Sequence, residues 1–151
     1  MSASVRDAVT AVLVHGGDLF LCRRQPHLPA FGGYYAFPGG KVDDTDTGEP
    51  IGQPLLDAHP HKLIRALERE LREEIGFDLI QACAGGQVQS VDCLGEVTTP
   101  SFVPQRFRTW FYHIVLTARP GFVLQEDEAA EGFWARAQEL CRPPEQGRRR
   151  N

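Results

Sequence analysis

Three glutamates in the middle of the chain have the spacing of neighbours on one face of a helix. Glu70, Glu73 and Glu74 lie in the segment RELREEIGF at positions i, i+3 and i+4, within about one helical turn. Like charges at this spacing destabilise a helix by about 0.2–0.5 kcal/mol per pair, so the cluster has an energetic cost. Clustered carboxylate oxygens are the ligands that hard divalent cations such as Mg²⁺ or Mn²⁺ prefer, and the pattern therefore indicates a metal site.

The same acidic pattern is also typical of a solvated helix face. Arg65, Arg69 and Arg72 have the spacing to compensate its charge. A turn upstream favours the metal site over this simpler interpretation. The segment FPGGKVDDTDTGE contains Gly39 and Gly40, where no Cβ atom intervenes and the backbone can approach a phosphate or a metal closely.

The glutamates must be positioned by a helix predicted over residues 61–75. Its apolar residues recur at spacings of 3, 4 and 4, which gives one stripe that faces a core: Ile64, Leu67, Leu71 and Ile75. Pro60 suits the start of the helix, and Gly76 suits the left-handed position just past its end.

Strands are predicted around this helix, which favours an α+β domain with layered helices and sheet. β-branched and aromatic runs predict strands over residues 8–15, 19–23, 34–37, 87–97 and 105–117, with a further short strand at 122–123. Residues 43–60 are rich in proline, glycine and acids and are predicted to be irregular. A closing helix is predicted over residues 135–140.

The chain resembles the Nudix hydrolase family in the register of its acidic helix and upstream turn. The matching residues are Arg69, Glu70, Leu71, Glu73, Glu74 and Gly76, with Phe77 in the final apolar position, and the turn Gly39-Gly40-Lys41. The resemblance covers about residues 5–140. It implies a Nudix-like α/β/α sandwich with a mixed central sheet and a domain over residues 1–141. Residues 142–151 lack apolar side chains and are expected to form a flexible tail.

The turn and the helix lie further apart than in the usual family motif. Counting forward from Gly40 to the motif's first glutamate reaches Asp46, whereas counting back from Arg69 reaches His61, 15 positions later. The resemblance therefore implies an insertion near residues 44–60. Asp46, Glu49 and His61 all remain candidates for the first acidic position. The insertion is either a substrate-recognising loop or decoration, since long surface insertions cost little free energy.

The resemblance also implies roles for individual residues. Glu70, Glu73, Glu74 and Gly40 would hold Mg²⁺ or Mn²⁺. Arg69 would orient the carboxylates, and Glu70, Glu73 and Arg69 would serve catalysis. The general base is expected to be Glu128, in an acidic segment that is equally typical of a solvated loop. Expected substrate-binding residues are Arg24, Gly39, Gly40 and Arg106.

The implied function is metal-dependent hydrolysis of a nucleoside diphosphate linked to another moiety. The segments FGGYYAFPGGKVDDTD and TTPSFVPQRFRTWFY resemble the coenzyme A diphosphatase-like branch, which suggests coenzyme A or its acyl esters as substrate. ADP-ribose, nucleotide sugars and nucleoside triphosphates are the alternatives. A catalytically silent module that only binds a nucleotide is a second possibility. A homodimer is expected by analogy with relatives.

Composition narrows the possible partners. The chain of 151 residues has a formal net charge of −4, which argues against a nucleic-acid or membrane-surface footprint. Its length suits one domain. No CxxC pair occurs among the cysteines, so reduced thiols in a cytoplasmic protein are expected: Cys22, Cys83, Cys93 and Cys141.

Overall fold

The computed structural model describes residues 5–24, 35–100, 106–124 and 129–140. In that part of the chain the strands are β1 (Arg6–His15), β2 (Asp18–Arg24), β3 (Tyr35–Ala36), β4 (Gly39–Lys41), β5 (Val88–Thr98), β6 (Phe107–Leu116) and β7 (Ala129–Arg136). The helices are α1 (Pro54–Asp57), α2 (His61–Ile75), α3 (Leu79–Ala84) and α4 (Ala137–Leu140). None of these helices is long and apolar enough to cross a membrane.

The strands form one mixed sheet, as predicted. Its main order is β3-β2-β1-β6-β5, with β4 paired to β1 and β7 paired to β2. The β1–β6 pair is parallel and the other pairs are antiparallel. β1 pairs with β4 through Ala8–Thr10 and with β2 only through its last two residues. Because β2 pairs only with the end of β1, Gly39 and Gly40 can lie against the first half of this central strand.

Helix α2 has the bounds that the sequence predicts and packs through the predicted stripe. Ile64, Leu67, Leu71 and Ile75 are fully buried in the main core cluster, which also contains inward-facing side chains of β1 and β6. The helix ends at Gly76 in the left-handed conformation, with φ of 66°. Glu70 and Glu74 lie at the side of this stripe, against Gly40 and Gly39 of β4, and Glu74 is buried there.

Two predicted elements differ from the structure, and one helix was not predicted. Residues 122–123 form no strand, because the Val123 N–H donates to the carbonyl of Ile75 at the end of α2. The closing segment is a strand up to Arg136, paired along β2, and only Ala137–Leu140 is helical. Helix α3 was not predicted. It begins where the Asp78 side chain accepts a hydrogen bond from the N–H of Gln81.

The inserted segment is more ordered than its composition predicts. It contains α1, which begins at Pro54 and is capped by the Gln53 side chain. The Asp57 carboxylate accepts hydrogen bonds from three preceding N–H groups, those of Ile51, Gly52 and Gln53, and so closes the loop on itself. The prediction of an irregular excursion over residues 43–60 was therefore wrong at this point.

The inserted segment is also fixed to the rest of the domain. Leu56 has no exposed surface and belongs to the main core. The His59 ring nitrogen Nε2 lies 2.8 Å from the carbonyl oxygen of Val91 in β5. Arg65 of α2 donates to the carbonyls of Glu49 at 2.8 Å and Pro50 at 2.9 Å. The segment thus spans the space between β5 and the start of α2.

Candidate active site

The Arg69 guanidinium lies at the centre of the predicted site. Its Nε and Nη2 atoms donate to the two carboxylate oxygens of Asp46, each at 3.0 Å. Two parallel charge-assisted bonds of this kind are among the stronger polar contacts in proteins, and they fix orientation as well as distance. Only 6% of Asp46 is exposed, so the pair is shielded from water.

The same guanidinium connects α2 to the last residue of β4. Its Nη1 atom donates to Glu70 at 2.9 Å and to Glu73 at 3.3 Å, and its Nη2 atom donates to the carbonyl of Lys41 at 2.9 Å. Arg69 therefore contacts two of the three predicted metal-binding carboxylates. Arg72, in contrast, pairs with Glu68 outside the site.

Electrostatics stabilise the charged forms of both central groups. Burial alone would raise the pKa of Asp46. Bonds from Arg69 and from the backbone N–H of Asp43 outweigh that effect and lower it. The hydrogen bonds to Asp46 raise the pKa of Arg69 despite its partial burial. The pair is therefore ionised at neutral pH.

The structure distinguishes the three candidates for the first acidic position. Asp46 reaches Arg69, whereas Glu49 contributes only its backbone carbonyl, to Arg65. The His61 ring lies against the carbonyls of Gly48 at 3.2 Å and Asp57 at 3.3 Å. Of these three candidates, Asp46 is the one whose side chain contacts Arg69. The inserted residues of the motif then follow Asp46 in the chain.

The two glycines of the turn touch two of the three glutamates. The Gly39 N–H donates to Glu74 Oε1 at 3.0 Å. A Cβ atom on Gly40 would lie 2.3 Å from the carboxylate carbon of Glu70, so this carboxylate occupies the place of a side chain. Glu73 is the most exposed of the three, with 53% of its side chain accessible. The turn and the helix thus bring the predicted site residues together.

The donor types at this site fit a hard divalent cation. Three carboxylates and the carbonyl of Gly40 are all oxygen donors, which Mg²⁺ and Mn²⁺ prefer. The present side-chain positions are not those of an assembled metal site. Among the described residues, no group of three His, Cys, Asp or Glu side chains could hold a metal ion. Glu70 and Glu73 point to Arg69, and Glu74 points to Gly39.

Of three other predicted residues, only Arg106 has side-chain contacts in the described part of the chain, and these lie outside the arginine cluster. The Arg106 Nε atom donates to the carbonyl of Thr99 at 3.3 Å, and its own carbonyl accepts from Arg6. Arg24 ends β2, and its side chain lies outside the described part. Glu128, the expected general base, also lies outside the described residues, as does the predicted tail over residues 142–151.

Sequence reasoning missed two contributors to the arginine cluster. The Lys41 carbonyl accepts from Arg69, and the Asp43 carboxylate lies 3.6 Å from the same guanidinium. Lys41 follows Gly40 directly, and Asp43 lies three residues after Gly40, in the segment KVDD. Their position in the turn is a signal that could have identified them, because a turn that faces α2 must also expose its backbone carbonyls to it.

Comparison with known protein families identifies the class of protein to which this fold and site belong. A family model described as the NUDIX domain matches residues 5–151. The chain belongs to the NUDIX family, as its sequence predicts.

Solved structures of similar fold include a NUDIX hydrolase from Alicyclobacillus acidocaldarius and a MutT protein from Methanosarcina mazei Go1. The first has a TM-score of 0.71 and 21% identity, over 91% of this chain and 82% of its own. The second has a TM-score of 0.66 and 18% identity, over 93% and 83%. The NUDIX domain of Shewanella oneidensis NrtR, solved with ADP ribose, has a TM-score of 0.64 and 17% identity, over 94% and 79%. These likenesses confirm the fold.

A curated relative is more similar in sequence over a shorter region. The chain is 38% identical over 64 residues to an 8-oxo-dGTP diphosphatase from Proteus vulgaris. The aligned region covers 42% of this chain and 43% of that protein. The match thus spans less than half of the length of that relative.

Proposed function

We propose that this chain is a divalent-cation-dependent hydrolase of a diphosphate bond in a nucleoside diphosphate derivative. The observation that carries the proposal is the arrangement of Glu70, Glu73 and Glu74 around Arg69 and the Gly39-Gly40 turn. Carboxylate oxygens grouped in this way are the ligands that Mg²⁺ and Mn²⁺ prefer. Membership of the NUDIX family and the diphosphatase named above support the same reaction class.

Each residue of the site has a role in this proposal. Glu70, Glu73, Glu74 and the Gly40 carbonyl would hold Mg²⁺ or Mn²⁺. The ion would offset the negative charge of the diphosphate and make the attacking water more acidic. Arg69 holds Glu70 and Glu73 in place while Asp46 neutralises its charge, so Arg69 and Asp46 are positioning residues. Glu128 remains our candidate for the group that takes the proton from water.

The substrate is proposed at two levels. The coarser level is a nucleotide with a diphosphate linkage, which the family match supports. At the finer level, the relative from Proteus vulgaris favours a nucleoside triphosphate such as 8-oxo-dGTP. Coenzyme A and its acyl esters, expected from the resemblance in sequence, have no support from the comparisons. They belong in the test as the competing substrate class.

A nucleotide-binding module without catalysis is the alternative function. The observation that favours it is that Arg69 bonds to both Glu70 and Glu73, so that these two carboxylates have a cationic partner within the protein. In the proposed enzyme, Glu73 turns from Arg69 towards the metal, while Asp46 and the Lys41 carbonyl keep the guanidinium in place. Glu73 has the exposed surface to make this change, because about half of its side chain is accessible.

The test follows product formation by chromatography, in Mg²⁺ and in Mn²⁺, from 8-oxo-dGTP, dGTP, coenzyme A, acetyl-coenzyme A and ADP-ribose. Chromatography is needed because cleavage of the diphosphate in the last three compounds yields two phosphomonoesters and no free phosphate or pyrophosphate. The variant is Glu73→Gln, and the matched control is Glu68→Gln, which breaks an arginine pair on the same helix outside the site. We expect metal-dependent turnover that falls by about 100-fold or more in Glu73→Gln and by less than about twofold in Glu68→Gln.

Two results would count against the proposal. Binding of a nucleotide without turnover in either metal would favour the binding module. Turnover that is equally impaired in Glu73→Gln and Glu68→Gln would move the reaction away from this carboxylate cluster. The ranking of the five compounds decides between the substrate classes.

A further inference from the structure

The segment of residues 117–124, here called the strap, follows β6 and crosses the end of the glutamate-bearing helix. The Val123 N–H donates to the carbonyl of Ile75 at 2.8 Å. Ile75 is the last residue of α2 and comes directly after Glu73 and Glu74. Because the last carbonyls of a helix have no partner within the helix, this bond satisfies one of them and fixes the helix end.

The middle of the strap is packed into a cluster of aromatic rings. The centroid of the Phe122 ring lies 4.4 Å from that of Phe20 in β2 and 5.6 Å from that of Phe77, two residues past α2. The Phe122 ring is also stacked with that of Trp134 in β7, at 6.2 Å. Aromatic pairs at these separations are favourable beyond the area that they bury. The strap therefore joins the end of α2 to β2 and β7.

The start of the strap is fastened to the sheet by Arg119. Its Nε atom donates to His15 Nδ1 at 3.1 Å, and its Nη2 atom donates to the Asp18 carboxylate. The guanidinium also lies over the ring of Trp134, 4.8 Å from the centroid. A cation above an aromatic face and a charge-assisted hydrogen bond are both favourable contacts. Arg119 thus contacts one side chain on each of β1, β2 and β7.

The Asp18 carboxylate depends on its contact with Arg119. Only 16% of the Asp18 side chain is exposed. Its Oδ1 atom is buried and has no hydrogen-bond partner in the part of the chain that the structure describes. Removal of the arginine would leave a mostly buried charge that water solvates poorly, which is costly. We therefore expect Arg119 to remain fastened in the folded protein.

We propose that Arg119 is a positioning residue which, through the strap, holds Glu73 and Glu74 in place for the metal ion. The inference rests on the proposed function and adds a residue to it, since neither the sequence interpretation nor the comparisons assign a role to Arg119. The contacts of Arg119 and the bond of Val123 lie on either side of Phe122 in the strap. Loss of the first is therefore expected to loosen the second, and with it the last turn of α2.

The first measurement is hydrogen exchange of the Val123 N–H, followed by NMR at one fixed pH without metal. The variants are Arg119→Gln and Arg119→Lys, and the control is Arg136→Gln, which removes the same charge from the residue paired with Asp18. We expect the protection of Val123 to fall about tenfold in Arg119→Gln and by less than about twofold in the control, because the strap opens locally. The N–H of Ile114, a fully buried residue of β6, reports unfolding of the whole domain and is expected to change less.

The second measurement is Mn²⁺ affinity, by calorimetry without nucleotide. We expect the affinity to fall about three- to tenfold in Arg119→Gln and to stay within about twofold in Arg136→Gln, because residues that orient metal ligands contribute to metal binding. Arg119→Lys keeps a positive charge for Asp18 but loses the planar group over Trp134, and it should be intermediate in both measurements. An arginine with a purely structural role would change the stability of the protein and not the Mn²⁺ affinity of its folded form.

Each measurement has an outcome that would overturn the inference. Protection that falls equally at Val123 and Ile114 would show that Arg119 stabilises the whole domain and not the strap. Mn²⁺ affinity that both Arg119 variants retain would remove the positioning role while the proposed function stands. An unaltered protein that binds no Mn²⁺ would overturn the proposed function, and this inference with it. If Arg119→Gln does not fold, Arg119→Lys decides by the same two criteria.

Discussion

Gly39 and Gly40 are adjacent in the chain, yet a side chain would meet different obstacles at the two positions. A Cβ atom on Gly39 would lie 2.2 Å from the carbonyl oxygen of Val9, which belongs to the backbone of β1. A Cβ atom on Gly40 would instead meet the carboxylate of Glu70, the end of a side chain that can turn away. The first contact is therefore structural, and the second belongs to the site.

Substitution by alanine is therefore expected to lower stability at Gly39 and turnover at Gly40. Gly39→Ala forces β4 away from β1, and we expect a loss of about 1–3 kcal/mol in the free energy of unfolding. Gly40→Ala displaces the Glu70 carboxylate, and we expect a fall in turnover of about 10-fold or more with nearly unchanged stability. Urea unfolding and turnover of both variants provide the check. Equal losses of stability would contradict this assignment.

At the scale of elements, the inserted segment acts as part of the domain and not as an appendage. Its helix α1 places Leu56 in the main core, and His59 contacts β5 through the carbonyl of Val91. Arg65 fixes the segment to α2. The segment therefore connects the helix that bears the glutamates to an edge strand of the sheet.

Leu56→Ala tests whether the insertion contributes to the core. Removal of a fully buried leucine side chain typically costs about 2–5 kcal/mol, and we expect a loss of about that size in urea unfolding. Leu55→Ala serves as the control, because Leu55 is only partly buried against the same cluster. A loss below about 0.5 kcal/mol in Leu56→Ala would mean that the segment is decoration.

Asp57→Asn tests how the inserted segment is closed. The N–H of Ile51, supported by those of Gly52 and Gln53, lowers the pKa of Asp57 below its ordinary value of 3.8. A carboxyl group whose pKa is lowered in the folded state stabilises that state above the unfolded pKa, and the stabilisation is lost as pH falls through the folded pKa. We expect a lower Tm for Asp57→Asn at pH 7 and a difference that shrinks below about pH 4.

Asp44→Asn is the charge-matched control for this pH series. It removes a carboxylate to which, among the described residues, no backbone N–H donates. A Tm difference for Asp57→Asn that persists unchanged at pH 2.5 would show that the loop is held by something other than the ionised carboxylate.

The elements that the sequence predicts well are those with local signals. The apolar stripe and Gly76 define α2 without reference to any other part of the chain. β7 has no such signal, because AAEGFWAR lacks β-branched residues and is a strand only through its pairing with β2. The sequence also could not favour Asp46 over Glu49 or His61 as the first residue of the motif. The path of the inserted residues decides which of these side chains reaches Arg69.

At the scale of the whole molecule, the core contains two titratable groups whose charged forms are disfavoured by burial. Burial raises the pKa of Cys83 from 9.0 to about 11, and that of Tyr112 from 10.0 to about 12. The hydroxyl of Tyr112 is buried and has no hydrogen-bond partner in the described part of the protein. Between the unfolded and folded pKa values the unfolded chain binds fewer protons, so stability falls as pH rises.

We therefore expect the free energy of unfolding to decline above about pH 9 and to continue falling towards pH 12. Tyr112→Phe and Cys83→Ala should each reduce this decline. Tyr112→Phe should be neutral or stabilising at pH 7, because it removes an unsatisfied buried hydroxyl. Urea unfolding at pH 7, 9 and 10.5 measures the effect. An alkaline decline that is identical in both variants and the unaltered protein would contradict this account.

The parallel pairing of β1 with β6 affects how the chain folds during its synthesis. Arg6 faces Phe107 and Val14 faces Val115, so each pair joins residues about 100 positions apart. At about 5–20 residues per second, β1 leaves the ribosome roughly 5–20 s before this partner is available. One edge of the apolar strand AVTAVLV stays open during that interval. The nascent chain is thus exposed to aggregation at the strand that becomes the centre of the native sheet, and a chaperone that covers this segment would favour correct folding.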